Sequence, residues 1–221
     1  NIQDELEARL WQSVQKTADI SGESEKWAPI LSSKKYRKRT ILNSRRMPFD
    51  CDQFNMDSDE GVSISELSSF VENLLQKALE FSLDQMMQNP KDFVKFLDQT
   101  SRLRTFPLKS LDRNEKETFC IYLNLYHCLL QHSLLIKTPP PTKKKAALFM
   151  RTHCYEIDGD VFSLAEFESC LIRGNLSEPF YPKPPYYRIA KKSRVYRAYA
   201  LQLVDPRLCF ILNNGNSSQP R

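Results

Sequence analysis

Six cysteines (51, 120, 128, 154, 170 and 209) and three histidines (127, 132 and 153) are the side chains able to do nucleophilic or acid–base work near neutral pH. A cysteine hydrolase or transferase needs a thiolate, an imidazole to take its proton, and a third group to orient the imidazole. Cys120 falls early in a long apolar stretch that reads as a helix, where the helix dipole favours a thiolate. His127 follows seven positions later, two turns along the same face and about 10 Å away, too far for a direct bond. His127 and Cys128 are neighbours and splay by roughly 100° on a helix. His153 and Cys154 are neighbours on an expected strand and point apart as well. No local pair forms a dyad. An enzyme would have to assemble one from Cys120, Cys128, His127, His132 and Cys209 by long-range folding. No two cysteines have CxxC spacing, so neither a zinc ribbon nor a thioredoxin-type motif is indicated, and no metal or other cofactor is expected. Scattered cysteines in a chain of this length read as reduced thiols of an intracellular protein.

Binding chemistry has three candidates. Asn55, Asp57, Asp59 and Glu66 fit positions 1, 3, 5 and 12 of a calcium loop, but Glu60 stands where the turn needs glycine. Ser63 and Glu66 are better explained as a capping box opening a helix. Phe180, Tyr181, Tyr186 and Tyr187 lie among Pro179, Pro182, Pro184 and Pro185, a stiff loop with aromatic anchors suited to a protein partner. Lys191, Lys192 and Arg194 form a basic cluster with Arg188 and Arg197, suited to an acidic surface or an anionic membrane. A second basic run, Lys34 to Arg39 with Arg45 and Arg46, reads as a solvated loop, an import signal, or a patch for nucleic acid or acidic lipid.

The 221 residues carry 32 Lys and Arg against 27 Asp and Glu, a net charge of +5. That excess is too mild for a dedicated nucleic-acid binder. Five glycines exclude glycine-rich repeats and argue against phosphate-cradling nucleotide folds. The start has neither a basic nor an apolar leader segment, and the absence of an initiator Met suggests a piece of a longer protein. The most apolar window, Phe119 to Ile136, contains Asn124, His127, Gln131 and His132 and reads as a core helix rather than a membrane span.

These groups need elements to hold them. Ile2, Leu6, Leu10 and Val14 predict an amphipathic helix over 1–20, and 21–62 reads as a charged linker. Apolar periodicity predicts helices over 65–88 and 91–103, then a long one to about Ile136 with Asp112 as N-cap. Lys143 to Lys145 oppose the dipole of a helix starting there. Tyr155 to Phe162 predicts a hairpin with Asp158-Gly159 as a type I′ turn, and Ser163 caps a helix to Arg173. Leu208 to Leu212 reads as a short strand.

The order of motifs over 91–221 resembles the domain-of-unknown-function family 547. Tyr122-Leu123-Asn124-Leu125-Tyr126-His127 with His132, Tyr155-x-Ile157-x-Gly159, Ser163-Leu164 with Glu168, Ile172-Arg173-Gly174 and Asp205-Pro206-Arg207 carry the likeness. His127, Ser169, Cys209 and Asn214 stand where the family has Asn, His, His and Cys, so the polar groups most able to do chemistry are replaced. The resemblance implies a papain/transglutaminase-like arrangement, and Asn124, Tyr126, Glu168, Arg173, Asp205 and Arg207 become structural polar groups.

The sequence therefore points to a helix-rich α+β domain with a small antiparallel sheet over 63–221, preceded by a helix and a linker. It leans away from an enzyme and toward a protein-interaction or scaffold module, cytoplasmic and, through the basic run, also nuclear. A cysteine-dependent peptidase, amidase or transferase is the alternative. Binding of an acidic partner or anionic membrane is the third reading.

Overall fold

The computed structural model describes residues 17–19, 38–43, 63–82, 90–137, 142–173, 194–202, 205, 207 and 211–212. Helix α1 (Ile64–Glu80) opens with the expected capping box, in which the Glu66 N–H donates to Ser63 Oγ and the Ser63 N–H donates to the Glu66 carboxylate. Leu67, Val71, Leu74 and Ala78 make its buried stripe, which packs on helix α3. Helix α2 (Pro90–Ser101) turns Phe93, Phe96 and Leu97 inward, and Pro90 occupies a first-turn position that needs no N–H donor. Two 3₁₀ turns, Arg102–Thr105 and Leu108–Ser110, lead to α3 (Lys116–Ile136).

Helix α3 is the axis of the domain. Ile121, Tyr122, Leu125, Tyr126, Cys128 and Leu129 are completely buried, so the helix is enclosed on more than one side. By length and composition α3 could cross a membrane, and 67% of its apolar window is buried inside the fold. Asp112 does not cap it. The Asp112 carboxylate instead accepts the Asn114 N–H at 3.0 Å, and Glu115 occupies the N-cap without a side-chain bond.

Helix α4 (Lys143–Thr152) forms despite its three leading lysines, because Thr142 caps the Lys145 N–H. Strands β3 (His153–Ile157) and β4 (Asp160–Ser163) make the expected hairpin. Asp158 and Gly159 have φ of 52° and 73°, the positive values a type I′ turn requires. Ser163 then caps α5 (Leu164–Glu166), which continues as a π-helical stretch, Phe167–Ile172. Helix α6 (Arg194–Tyr199) buries Tyr196 and Tyr199. Most of the strand expected over 208–212 lies outside the described residues.

The helix-rich α+β class holds, and the sheet is mixed rather than wholly antiparallel. Its order is β1-β2-β3-β4, with β1 (Thr17–Asp19) antiparallel to β2 (Lys38–Ile41) and β2 parallel to β3. Strand β1 falls where the end of a helix was expected, and β2 falls inside the expected linker. The segment Arg39-Thr40-Ile41-Leu42 has the β-branched and apolar residues of a strand, and Ile41 and Leu42 are buried. Its position at the end of a basic run hides this, because Arg39 becomes a core residue only when a distant carboxylate meets it.

Candidate functional site

Two buried polar clusters lie at the junction of α3, the hairpin and α5. In the first, Tyr155 on β3 reaches the inner face of α3. Its hydroxyl is 2.8 Å from His132 Nδ1 and 3.6 Å from Cys128 Sγ. Cys128, His132 and Tyr155 have no solvent-exposed surface. The rings of Phe93, Phe96 and Tyr155 surround the imidazole, with Phe96 edge-on at 5.1 Å between centroids. His132 Nε2 has no hydrogen-bond partner among the described residues. Burial pushes the Cys128 thiol up to about 12 and holds His132 down to about 3. Burial also raises the Tyr155 hydroxyl well above its ordinary value. All three groups are therefore neutral at physiological pH. Sequence reasoning named Cys128 and His132 and missed the tyrosine that joins them.

The second cluster centres on Arg39. Its guanidinium grips the Glu166 carboxylate with both terminal nitrogens, the Nη1 contact being 2.7 Å, and Nη1 also donates to the Val161 carbonyl at 3.4 Å. Glu166 closes a capping box as well, accepting from the Ser163 N–H at 2.8 Å and from Ser163 Oγ at 2.9 Å. Desolvation is the largest influence and works against the Arg39 cation, but the charge and hydrogen bond of Glu166, with Cys154 and Tyr196 adding, together outweigh it, so the Arg39 pKa is raised and the cation persists. Cys154 lies beside this pair and is likewise pushed up to about 12, chiefly by burial. The Tyr196 hydroxyl of α6 is buried near Glu166, and burial followed by the Glu166 charge raises its pKa. No acceptor meets that hydroxyl at normal hydrogen-bond geometry among the described residues. The Ser163-x-x-Glu166 spacing carried a signal for this capping box. The pairing with Arg39 spans 127 positions and left none.

A third cluster marks the hairpin tip. Asp160 accepts from the Tyr199 hydroxyl at 2.6 Å and pairs with Lys109 Nζ at 3.1 Å, while Asp158 accepts the Lys109 N–H at 2.8 Å. These bonds fasten α6 and the second 3₁₀ turn to the hairpin.

The remaining candidates are dispersed. Cys120 is exposed on α3. His127 is held below its ordinary pKa by burial, against the effect of backbone hydrogen bonds at Ile211 and Leu123. Tyr126 is buried with its ring against His127, and Asn124 is half-buried. Glu168 and Arg173 form a 3.3 Å ion pair at the end of the π-helical stretch. Asp205 accepts both the backbone and the guanidinium of Arg207, and these bonds lower its carboxyl to about 2. Cys209, Phe180, Tyr181, Tyr186, Tyr187, Lys191 and Lys192 lie outside the described residues, as does the calcium-like stretch 55–62, and of Arg194 only the backbone is described. Among the described residues no group of three or more His, Cys, Asp or Glu is placed to hold a metal ion.

The fold and its polar centre define a helix-rich α+β domain whose thiol and imidazole meet only through a tyrosine, inside the core. The family described as "Protein of unknown function, DUF547" matches residues 108–221, and the chain belongs to that family. No curated protein and no solved structure matches it.

Proposed function

We propose that this domain is a non-catalytic protein-interaction or scaffold module, in which an enzyme-like polar centre serves to hold the fold. The observation that carries this reading is the Cys128–Tyr155–His132 chain. A nucleophilic cysteine needs a lowered thiol pKa, access to substrate, and an imidazole able to become a cation. Here the thiol is pushed up, the imidazole is pushed down, and both are sealed from solvent. The one exposed thiol among the described residues, Cys120, lies outside this cluster. The four described cysteines are all free thiols, which suits a reducing, cytoplasmic compartment. A nuclear address through the 34–46 basic run is less favoured, because Lys38 is paired in β2 and Arg39 is buried.

Native alkylation between pH 5 and 9, with the labelled cysteine mapped by mass spectrometry, tests this. Cys128, Cys154 and Cys170 are expected to stay unlabelled until the chain unfolds, and no cysteine is expected to react fast below pH 7. One cysteine reacting fast below pH 7 would transfer the conclusion to the cysteine-hydrolase reading.

A further inference from the structure

Residues 39–43 are held as a bound peptide is held. At one end Arg39 is anchored on Glu166 and the Val161 carbonyl, with 1% of its surface exposed. At the other end the Asn43 amide is clasped by three bonds. It donates to the carbonyls of Glu156 (2.8 Å) and Thr100 (3.2 Å), and it accepts the Glu156 N–H (2.9 Å). Between these anchors the backbone runs parallel to β3, with Thr40 opposite His153, Ile41 opposite Cys154, and the Leu42 N–H donating to the Cys154 carbonyl at 3.0 Å. The contacts made by Arg39 and Asn43 reach 57 to 127 positions along the chain. The family match begins at residue 108, so the strand lies outside it, whereas Glu156, Val161 and Glu166 lie inside it and Thr100 precedes it.

This is strand addition, in which main-chain bonds supply affinity and side-chain pockets supply specificity. Two pockets are built here. One presents a buried carboxylate that requires a cation with two parallel donors, which is arginine chemistry rather than lysine chemistry. The other presents a carbonyl pair and an N–H, which match a primary amide.

We infer that the side of β3 away from β4, with Glu166 at one end and the Glu156 backbone at the other, is a docking site for an extended peptide of the pattern Arg-x-apolar-apolar-Asn. The occupant in this chain is its own residues 39–43, so the site is filled in cis and a competing segment of the same chemistry displaces them. The inference deepens the interaction-module reading and rests on it for the claim that binding another polypeptide is what the domain does.

The test uses the full chain carrying one added protease site between Asn55 and Met56. After cleavage, a labelled synthetic peptide spanning Tyr36–Arg46 is added and its uptake followed by fluorescence anisotropy. The nicked halves are expected to co-elute and then to exchange the strand for the labelled peptide. Peptides carrying Arg39→Met or Asn43→Ala are expected to compete at least tenfold more weakly, and because the changes lie in the peptide, folding of the protein is not in question. No exchange over a day at millimolar peptide, loss of the fold on nicking, equal competition by the Arg39→Met peptide, or strand exchange between two copies would each overturn the cis docking site. A fast-reacting cysteine sinks the interaction reading itself; a strand that never exchanges, with slow thiols, sinks only this site.

Discussion

The Tyr155 hydroxyl stands 2.8 Å from His132 Nδ1, and neither residue has any surface open to solvent. The hydroxyl also meets Cys128, so one oxygen satisfies a thiol and an imidazole in the same dry space. Tyr155→Phe removes that oxygen and leaves two buried polar groups unmet. An unsatisfied buried group costs about 1–3 kcal/mol. The urea midpoint of Tyr155→Phe is expected to fall by a corresponding amount with the slope unchanged.

His132 also sets a pH dependence. Its ring is held down to about 3 from an ordinary 6.5, because burial disfavours the cation. Above pH 6.5 neither the folded nor the unfolded chain protonates this ring, and its contribution to stability is complete. Between pH 6.5 and about 3 the unfolded chain takes up the proton and the folded chain does not. Stability then falls by about 1.4 kcal/mol per pH unit for each such proton. His127 and His153, also held low, act in the same direction, whereas Asp158 and Glu168, raised by burial, act in the opposite one. The informative quantity is therefore a difference: between pH 4 and 6 the slope for His132→Gln is expected to be shallower than that of the parent by about one proton.

The Arg39–Glu166 pair predicts strong coupling. Arg39→Met leaves the Glu166 carboxylate buried without its cation, which costs about 3–5 kcal/mol. Glu166→Gln strands the guanidinium in the same way. The double variant removes both charges and is expected to lose less stability than the sum of the two singles. A double-mutant cycle by denaturant unfolding measures this, and additive losses would mean that the two charges do not act as a pair.

The hairpin turn offers a cleaner backbone test. Gly159 has φ of 73°, and a Cβ added there would meet nothing within 4 Å. The cost of Gly159→Ala is therefore one of backbone conformation alone, about 1 kcal/mol. A drop several times larger in thermal or urea unfolding would show that the turn has other duties.

Local signals in the sequence were legible. The Ser63 capping box, the Asp158-Gly159 turn, the Ser163 cap and the inward Phe93, Phe96 and Leu97 follow from spacing within a few residues. Asp112 misled because an Asp can serve an Asx turn as readily as a helix cap. Strand β2 was hidden for a stronger reason. An arginine inside a basic run looks solvated unless a buried carboxylate elsewhere needs it, and that need is a property of the fold. The central tyrosine was missed on similar grounds. Tyr155 reads as an ordinary strand aromatic until α3 brings a histidine and a cysteine to its hydroxyl.

The Cys128–Tyr155–His132 centre is a closed, neutral network rather than a charged catalytic pair. Nitrogen and carbon NMR of the histidine-labelled and cysteine-labelled full chain at pH 7 addresses that directly. A His132 ring with one protonated and one unprotonated nitrogen, unchanged down to pH 5, together with a protonated Cys128 thiol, is the result the account predicts. A His132 imidazolium beside a Cys128 thiolate at pH 7 would contradict it.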